Sequence, residues 1–184
     1  MQVYIDEAEY IAFSYWKNKK YNTWPEVFRK NDGQKALHAM VDYDEGQAID
    51  HFDGLTLSRE EMRALNLQKG DPLQVGDNTF LCMSVDSDCL YINHSCDPNC
   101  FVSEYDGSYY LRTRKPIKAG DELTFDYSTT MLHGTWQLDN CQCKSSNCRG
   151  TIKPFNTLPK DLQKQYYESE QLLPFVSQYY SDNQ

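Results

Sequence analysis

Three cysteines, Cys141, Cys143 and Cys148, fall within eight residues of a stretch otherwise made of Gln, Lys, Ser and Asn. A loop this short and polar has no apolar reason to close, so a bound group has to hold it. Zinc takes four tetrahedral ligands at roughly 2.0–2.3 Å, and such a loop supplies three of them. The fourth comes from elsewhere in the chain: Cys96, Cys100 or His133, with Cys82 and Cys89 as further candidates. Free buried thiols and an iron–sulfur cluster are the other readings, since Cys is a common core residue. Exposed thiols in a polar loop are a liability, which favours zinc. A site closed by four ligands leaves no position for chemistry, so this zinc is expected to be structural.

The rest of the composition sets the frame for that loop. At 184 residues and 21.5 kDa the chain is long enough for one domain with a substantial core. The cysteines number seven, and Met1-Gln2-Val3-Tyr4-Ile5 has no basic-then-apolar secretory pattern. Both facts argue against a disulfide framework, and the sequon Asn93-His94-Ser95 is read as accidental. No run approaches the roughly 18–20 apolar residues of a membrane span, so no membrane association and an intracellular location are expected. Lys and Arg number 18 against 27 Asp and Glu, a formal net charge of -9. Duplex binding needs a basic footprint, so direct nucleic-acid binding is not expected. An acidic surface suits a basic protein or peptide partner, or serves solubility alone.

Local patterns predict many short strands with helices around them. Residues 1–24 read as an amphipathic helix on Tyr10, Ile11, Phe13 and Trp16. Asn31-Asp32-Gly33 predicts a hairpin between Val27–Arg29 and Ala36–Val41, and Asp44-Glu45-Gly46 a turn before Gln47-Ala48-Ile49. Ser58-Arg59-Glu60-Glu61 carries a capping box that opens a short helix through Leu65, closed by Lys69-Gly70-Asp71-Pro72. Strands are expected at Thr79–Val85, Phe101–Tyr105, Tyr109–Thr113 and Glu122–Tyr127, with a turn at Asp106-Gly107-Ser108. The last thirty residues read as helical, with Pro159 suited to a helix start.

One segment is too specific for a generic loop: Tyr91-Ile92-Asn93-His94-Ser95-Cys96-Asp97-Pro98-Asn99-Cys100. It is followed in chain order by Glu122-Leu123-Thr124-Phe125-Asp126-Tyr127 and then by the Cys-x-Cys-x4-Cys-Arg-Gly cluster. Together these resemble the SET-domain protein lysine methyltransferases with a post-SET zinc motif, from about Glu26 to Ile152. The chain departs from the family pattern where Gln34-Lys35-Ala36 stands for Gly-x-Gly. It departs again at Cys89-Leu90-Tyr91, where the family has an Arg, and at His51-Phe52-Asp53-Gly54.

The resemblance implies a mainly β SET-domain fold of short sheets with a knot-like core, peripheral helices and a C-terminal zinc-binding segment. Its parts would be an N-terminal helical extension over 1–24, the SET domain over 25–130, the post-SET zinc segment over 131–153 and a helical extension over 154–184. S-adenosylmethionine would be held by Gln34, Lys35, Ala36, Tyr91, Asn93, His94 and Tyr127, and Cys96 would be the fourth zinc ligand. Tyr127 would be the central catalytic residue, with Phe125 and Trp136 along the lysine channel. The implied activity is methyl transfer to lysine, with a histone as one candidate target and non-histone proteins as others. Phe125, in place of Tyr, implies di- or trimethylation. A histone target would mean a nuclear location, any other a cytoplasmic one. The competing class is a non-catalytic peptide-binding module, since aromatic grooves also hold methylated ammonium groups.

Overall fold

The computed structural model describes residues 23–67 and 72–184. The helix expected over 1–24 and the Lys69-Gly70-Asp71 turn fall almost wholly outside the described residues.

Turn chemistry sets the framework. Strands β1 (Glu26–Arg29) and β2 (Lys35–His38) pair antiparallel around the Asn31-Asp32-Gly33 turn, with Gly33 at φ 87°. Strands β8 (Cys100–Tyr105) and β9 (Ser108–Thr113) are joined through Asp106 and Gly107, both at positive φ, the geometry that matches strand twist. Strand β3 (Ala48–His51) adds to the other edge of β9.

The third sheet holds two strands that the sequence reading did not assign: β4 (Gly54–Ser58) and β5 (Leu73–Gly76), either side of β6 (Thr79–Met83). A Cβ at Gly54 would stand 2.3 Å from the Cys82 carbonyl oxygen, so only glycine permits this approach. The capping box forms as expected: Ser58 and Glu61 bond reciprocally and open α1 (Arg59–Ala64). The helix stops sooner than predicted, because Asn66 takes a left-handed conformation (φ 56°).

The predicted strand Glu122–Tyr127 shrinks to β10 (Thr124–Phe125), which runs parallel to β7 (Asn93–His94). Outside it, Glu122 bridges His38 and the Leu123 N–H donates to the Leu37 carbonyl (2.8 Å), and side chains supply further bonds. Asn99 donates to the Glu122 carbonyl (2.8 Å) and accepts from the Thr124 N–H (2.9 Å), while the Asp126 carboxylate accepts from the Ser128 N–H and starts a 3₁₀ turn. The Asn93–Asn99 and Thr124–Tyr127 segments of the two motifs are therefore bonded to each other.

A main core of Leu37, Ile49, Leu111, Ile117 and Leu123, each at most 1% exposed, lies between the sheets. Burying each such side chain contributes about 1.5–3 kcal/mol. A second cluster (Leu132, Phe155, Tyr166, Val176) seats α2 (Lys160–Glu168) and α3 (Pro174–Asp182) against the segment after Tyr127. Pro159 is the N-cap of α2, at the predicted helix start. Among the described residues, no helix is long and apolar enough to cross a membrane.

Candidate active site and metal centre

The cysteine loop is closed at its base by a bridge between Leu138 and Ile152 and by the Cys141 N–H donating to the Gly150 carbonyl (2.7 Å). Left-handed Asn140, Lys144 and Gly150 turn the chain tightly enough to aim three sulfurs at one point. Cys96, from the loop after β7, supplies the fourth, and all four Sγ atoms lie within 4.8 Å of one another. A tetrahedral zinc thiolate site has sulfur–sulfur edges of about 3.8 Å, so this donor set fits zinc. Cys100 is fully buried among the strands and is not part of the cluster; nor are Cys82, Cys89 and His133. Burial pushes the Cys96 thiol up to about 12 and the Cys141 thiol up to about 11. Burial also acts to raise Cys143, but hydrogen bonds to its sulfur outweigh that and leave it at about 7. A divalent ion would favour the thiolate form of all four.

A cleft of about 910 Å³ opens beside β10 and gathers the predicted channel residues Phe125 and Trp136 with the predicted catalytic Tyr127. The Tyr127 hydroxyl donates to the Ile92 carbonyl (2.8 Å), and its ring packs against Phe125 (4.9 Å between centroids) and Trp136 (6.4 Å). Phe125 is 6% exposed.

The predicted donor-binding residues meet only in part. Lys35 Nζ bonds the Tyr91 hydroxyl (3.0 Å) and lies 4.3 Å from that ring's centroid, and Asn93 Nδ2 donates to the Lys35 carbonyl (3.0 Å). Lys35 and Tyr91 line a shallow hollow of about 400 Å³. Gln34 is exposed, and the Ala36 methyl is wholly buried rather than lining the hollow. The His94 ring turns inward: its Nδ1 accepts from the Tyr127 N–H (3.2 Å), which leaves Nε2–H facing Cys96 Sγ at 3.3 Å. Burial lowers its pKa to about 4, with Arg149 adding to the shift, so the ring is neutral at physiological pH.

Sequence reading missed the hub that joins these parts. Asp126, 1% exposed, takes two bonds from the Arg149 guanidinium (2.8 and 2.7 Å), one from the Tyr166 hydroxyl (2.8 Å) and one from the Ser128 N–H (3.0 Å). Arg149 also donates its backbone N–H to Cys96 Sγ (3.3 Å). One carboxylate thus connects the cysteine loop, α2 and the strand that carries Tyr127. A charge within the otherwise apolar Phe-Asp-Tyr run, and an Arg directly after the last cysteine, were the available signals.

Comparison with known proteins gives a consistent picture. The family model described as "SET domain" matches residues 5–128, starting upstream of residue 25. Histone-lysine N-methyltransferase Set2 of Drosophila melanogaster is 30% identical over 147 residues, covering 73% of this chain and 6% of the relative. Histone-lysine N-methyltransferase ash1 of the same organism is 26% identical over 142 residues, covering 69% and 6%. The chain therefore spans only a small fraction of the length of these relatives. Among solved structures, that of KRYPTONITE in complex with mCHG DNA and SAH superposes with a TM-score of 0.54 at 24% identity, over 70% of this chain and 29% of that one. The likeness shows a shared fold.

Proposed function

This chain belongs to the SET-domain family, and on that premise we propose that it transfers methyl groups from S-adenosylmethionine to a lysine side chain of a protein or peptide. One observation carries the reading. Tyr127, Phe125 and Trp136 share a cleft with Ile92, while neighbouring Tyr91 and Asn93 are bonded to Lys35 on a separate hollow. The cleft and the hollow share no lining residue, so a lysine and a donor can approach this segment through different openings.

The donor supplies an electrophilic methyl on a sulfonium. A free lysine, with a pKa of about 10.4, is almost fully protonated at neutral pH and cannot attack. Phe125, Ile92 and Trp136 desolvate the amine and so favour its neutral form. The Tyr127 hydroxyl, fixed by its bond to Ile92, presents an oxygen that orients the amine. Positioning of this kind supplies up to about 7–11 kcal/mol in the best intramolecular reactions. Apolar Phe125 offers no hydroxyl to hold a partly methylated amine back, which supports di- or trimethylation. Cys96, Cys141, Cys143 and Cys148 would hold a structural zinc, tying the cysteine loop to the strand that bears Tyr127. The names of the relatives make histones the first targets to try, and a histone target implies a nuclear location. The net charge of -9 supports recognition through protein rather than DNA.

A non-catalytic peptide-binding module is favoured by two departures from the family pattern, Gln34-Lys35-Ala36 in place of Gly-x-Gly and the absence of the family's Arg at Cys89-Leu90-Tyr91. Calorimetric titration of the zinc-loaded protein with S-adenosylmethionine separates the two. The methyltransferase reading expects one saturable site in the micromolar range. No heat up to millimolar donor, from protein shown to be folded, would favour the module.

A further inference from the structure

The charge along the cleft does not follow the charge of the chain. On α1, Arg59 and Arg63 sit four residues apart and both line the cleft, as does His133. Among the described residues, no Asp or Glu lines it. Of the acids on and near the elements that carry these cations, Glu60 accepts from Asn78 Nδ2 (3.0 Å) while also feeling the charge of Arg59 and Arg63, Glu61 accepts from the Ser58 backbone and hydroxyl (both 2.8 Å), and Asp139 accepts from the lining residue Gln137 (3.1 Å). Arg59 lies over the Phe80 ring, 4.7 Å from its centroid, which holds its guanidinium over the cleft wall. A chain of net charge -9 thus presents two arginines, and among the described residues no carboxylate, to the cleft that holds Tyr127.

We infer that the preferred substrate is a lysine flanked by Asp or Glu and apolar residues, not one embedded in a polybasic tail. The inference rests on the methyltransferase reading and narrows its substrate class. Two guanidinium groups lining a cleft attract carboxylates and repel Lys and Arg side chains that would have to lie beside them. The remaining lining, with Leu73, Phe80, Leu90 and Trp136, suits apolar neighbours of the target lysine. Like-charge contact in the cleft gives specificity by exclusion, which contact with the lysine alone does not provide.

The test uses the zinc-loaded protein and three peptides that share one central lysine and apolar neighbours but carry Glu, Ser or Lys at the flanking positions. Initial rates of methyl incorporation are measured at low and high salt. The inference expects kcat/KM to fall in the order Glu, Ser, Lys, with roughly three- to tenfold between the extremes at low salt and less at high salt. Arg63→Glu, at an exposed position that leaves the Arg59–Phe80 contact in place, is expected to shrink or reverse that order. Methylation of all three peptides at equal rates, or fastest on the Lys-flanked one, would overturn the inference and leave the methyltransferase reading standing. So would an order unchanged in Arg63→Glu. Methylation of none of them, nor of histones, would remove the reading on which it rests.

Discussion

One ring position and one half-buried acid carry the sharpest expectations at the residue scale. Phe125 packs against Tyr127 with the two rings tilted by 52° and differs from Tyr by one hydroxyl. Phe125→Tyr would place a hydrogen-bonding group beside the amine, and the products are expected to shift toward the monomethyl form. Mass spectra after exhaustive turnover read this out, and an unchanged product distribution would show that Phe125 only packs. Asp50 is a different kind of probe. Burial raises its pKa from 3.8 to about 6, outweighing the bond it accepts from the His51 N–H (2.8 Å). Its folded pKa exceeds its unfolded one, so the folded form binds the proton more tightly between about pH 4 and 6. Stability from this group is therefore present below the unfolded pKa and lost as pH rises through about 6. Asp50→Asn is expected to stabilise the protein by about 1–2 kcal/mol at pH 7.5, after allowance for partial exposure, and by nothing at pH 3.5. Urea unfolding at the two pH values measures the difference, and a pH-independent gap would contradict the assignment.

At the scale of elements, α2 and the cysteine loop are tied to the strand that leads to Tyr127 because both bond Asp126. Arg149→Ala would leave that buried carboxylate without its cation, at a cost of about 3–5 kcal/mol. Tyr166→Phe removes one bond of several and should cost only about 1–2 kcal/mol. Denaturant titration of the two zinc-loaded variants compares them, and equal losses would mean that the guanidinium does not hold the hub. The same scale shows what the sequence makes legible. Hairpins announced by Asn-Asp-Gly and Asp-Gly, and the helix opened by Ser58, depend on local backbone chemistry and can be read from a few residues. Strands β4 and β5 depend on β6 lying between them, and β4 leaves Leu55 63% exposed, so neither shows a clean alternation. The Glu122–Tyr127 strand looked longer than it is because Asn99 and Asp126 bond its backbone with side chains, which no periodicity reveals.

For the whole molecule, the cysteine cluster acts as a long-range staple between β7 and the C-terminal third. The loop itself was legible from spacing, but spacing could not choose its fourth member. Cys96 emerged only from the family resemblance, and the fold then brings its sulfur to the other three. Cys143→Ser is expected to abolish binding of one zinc, lower the melting temperature and reduce methyl transfer, since Arg149 would lose its fixed loop. Zinc content and calorimetric melting report this, and full activity in a metal-free Cys143→Ser protein would contradict a structural zinc. The donor residues were less legible than the metal site. Lys35, Tyr91 and Asn93 do gather, whereas Gln34 stays exposed, Ala36 is buried and the His94 ring faces Cys96.

The central claim, lysine methylation with Tyr127 at the point of transfer, is tested most directly by intact mass analysis of a lysine peptide incubated with S-adenosylmethionine and the zinc-loaded protein. Wild type is expected to add methyl groups in 14 Da steps at the lysine, and folded Tyr127→Phe to do so at least tenfold more slowly. No mass increase with wild type, on histones or on any peptide of the flanking series, would contradict the account.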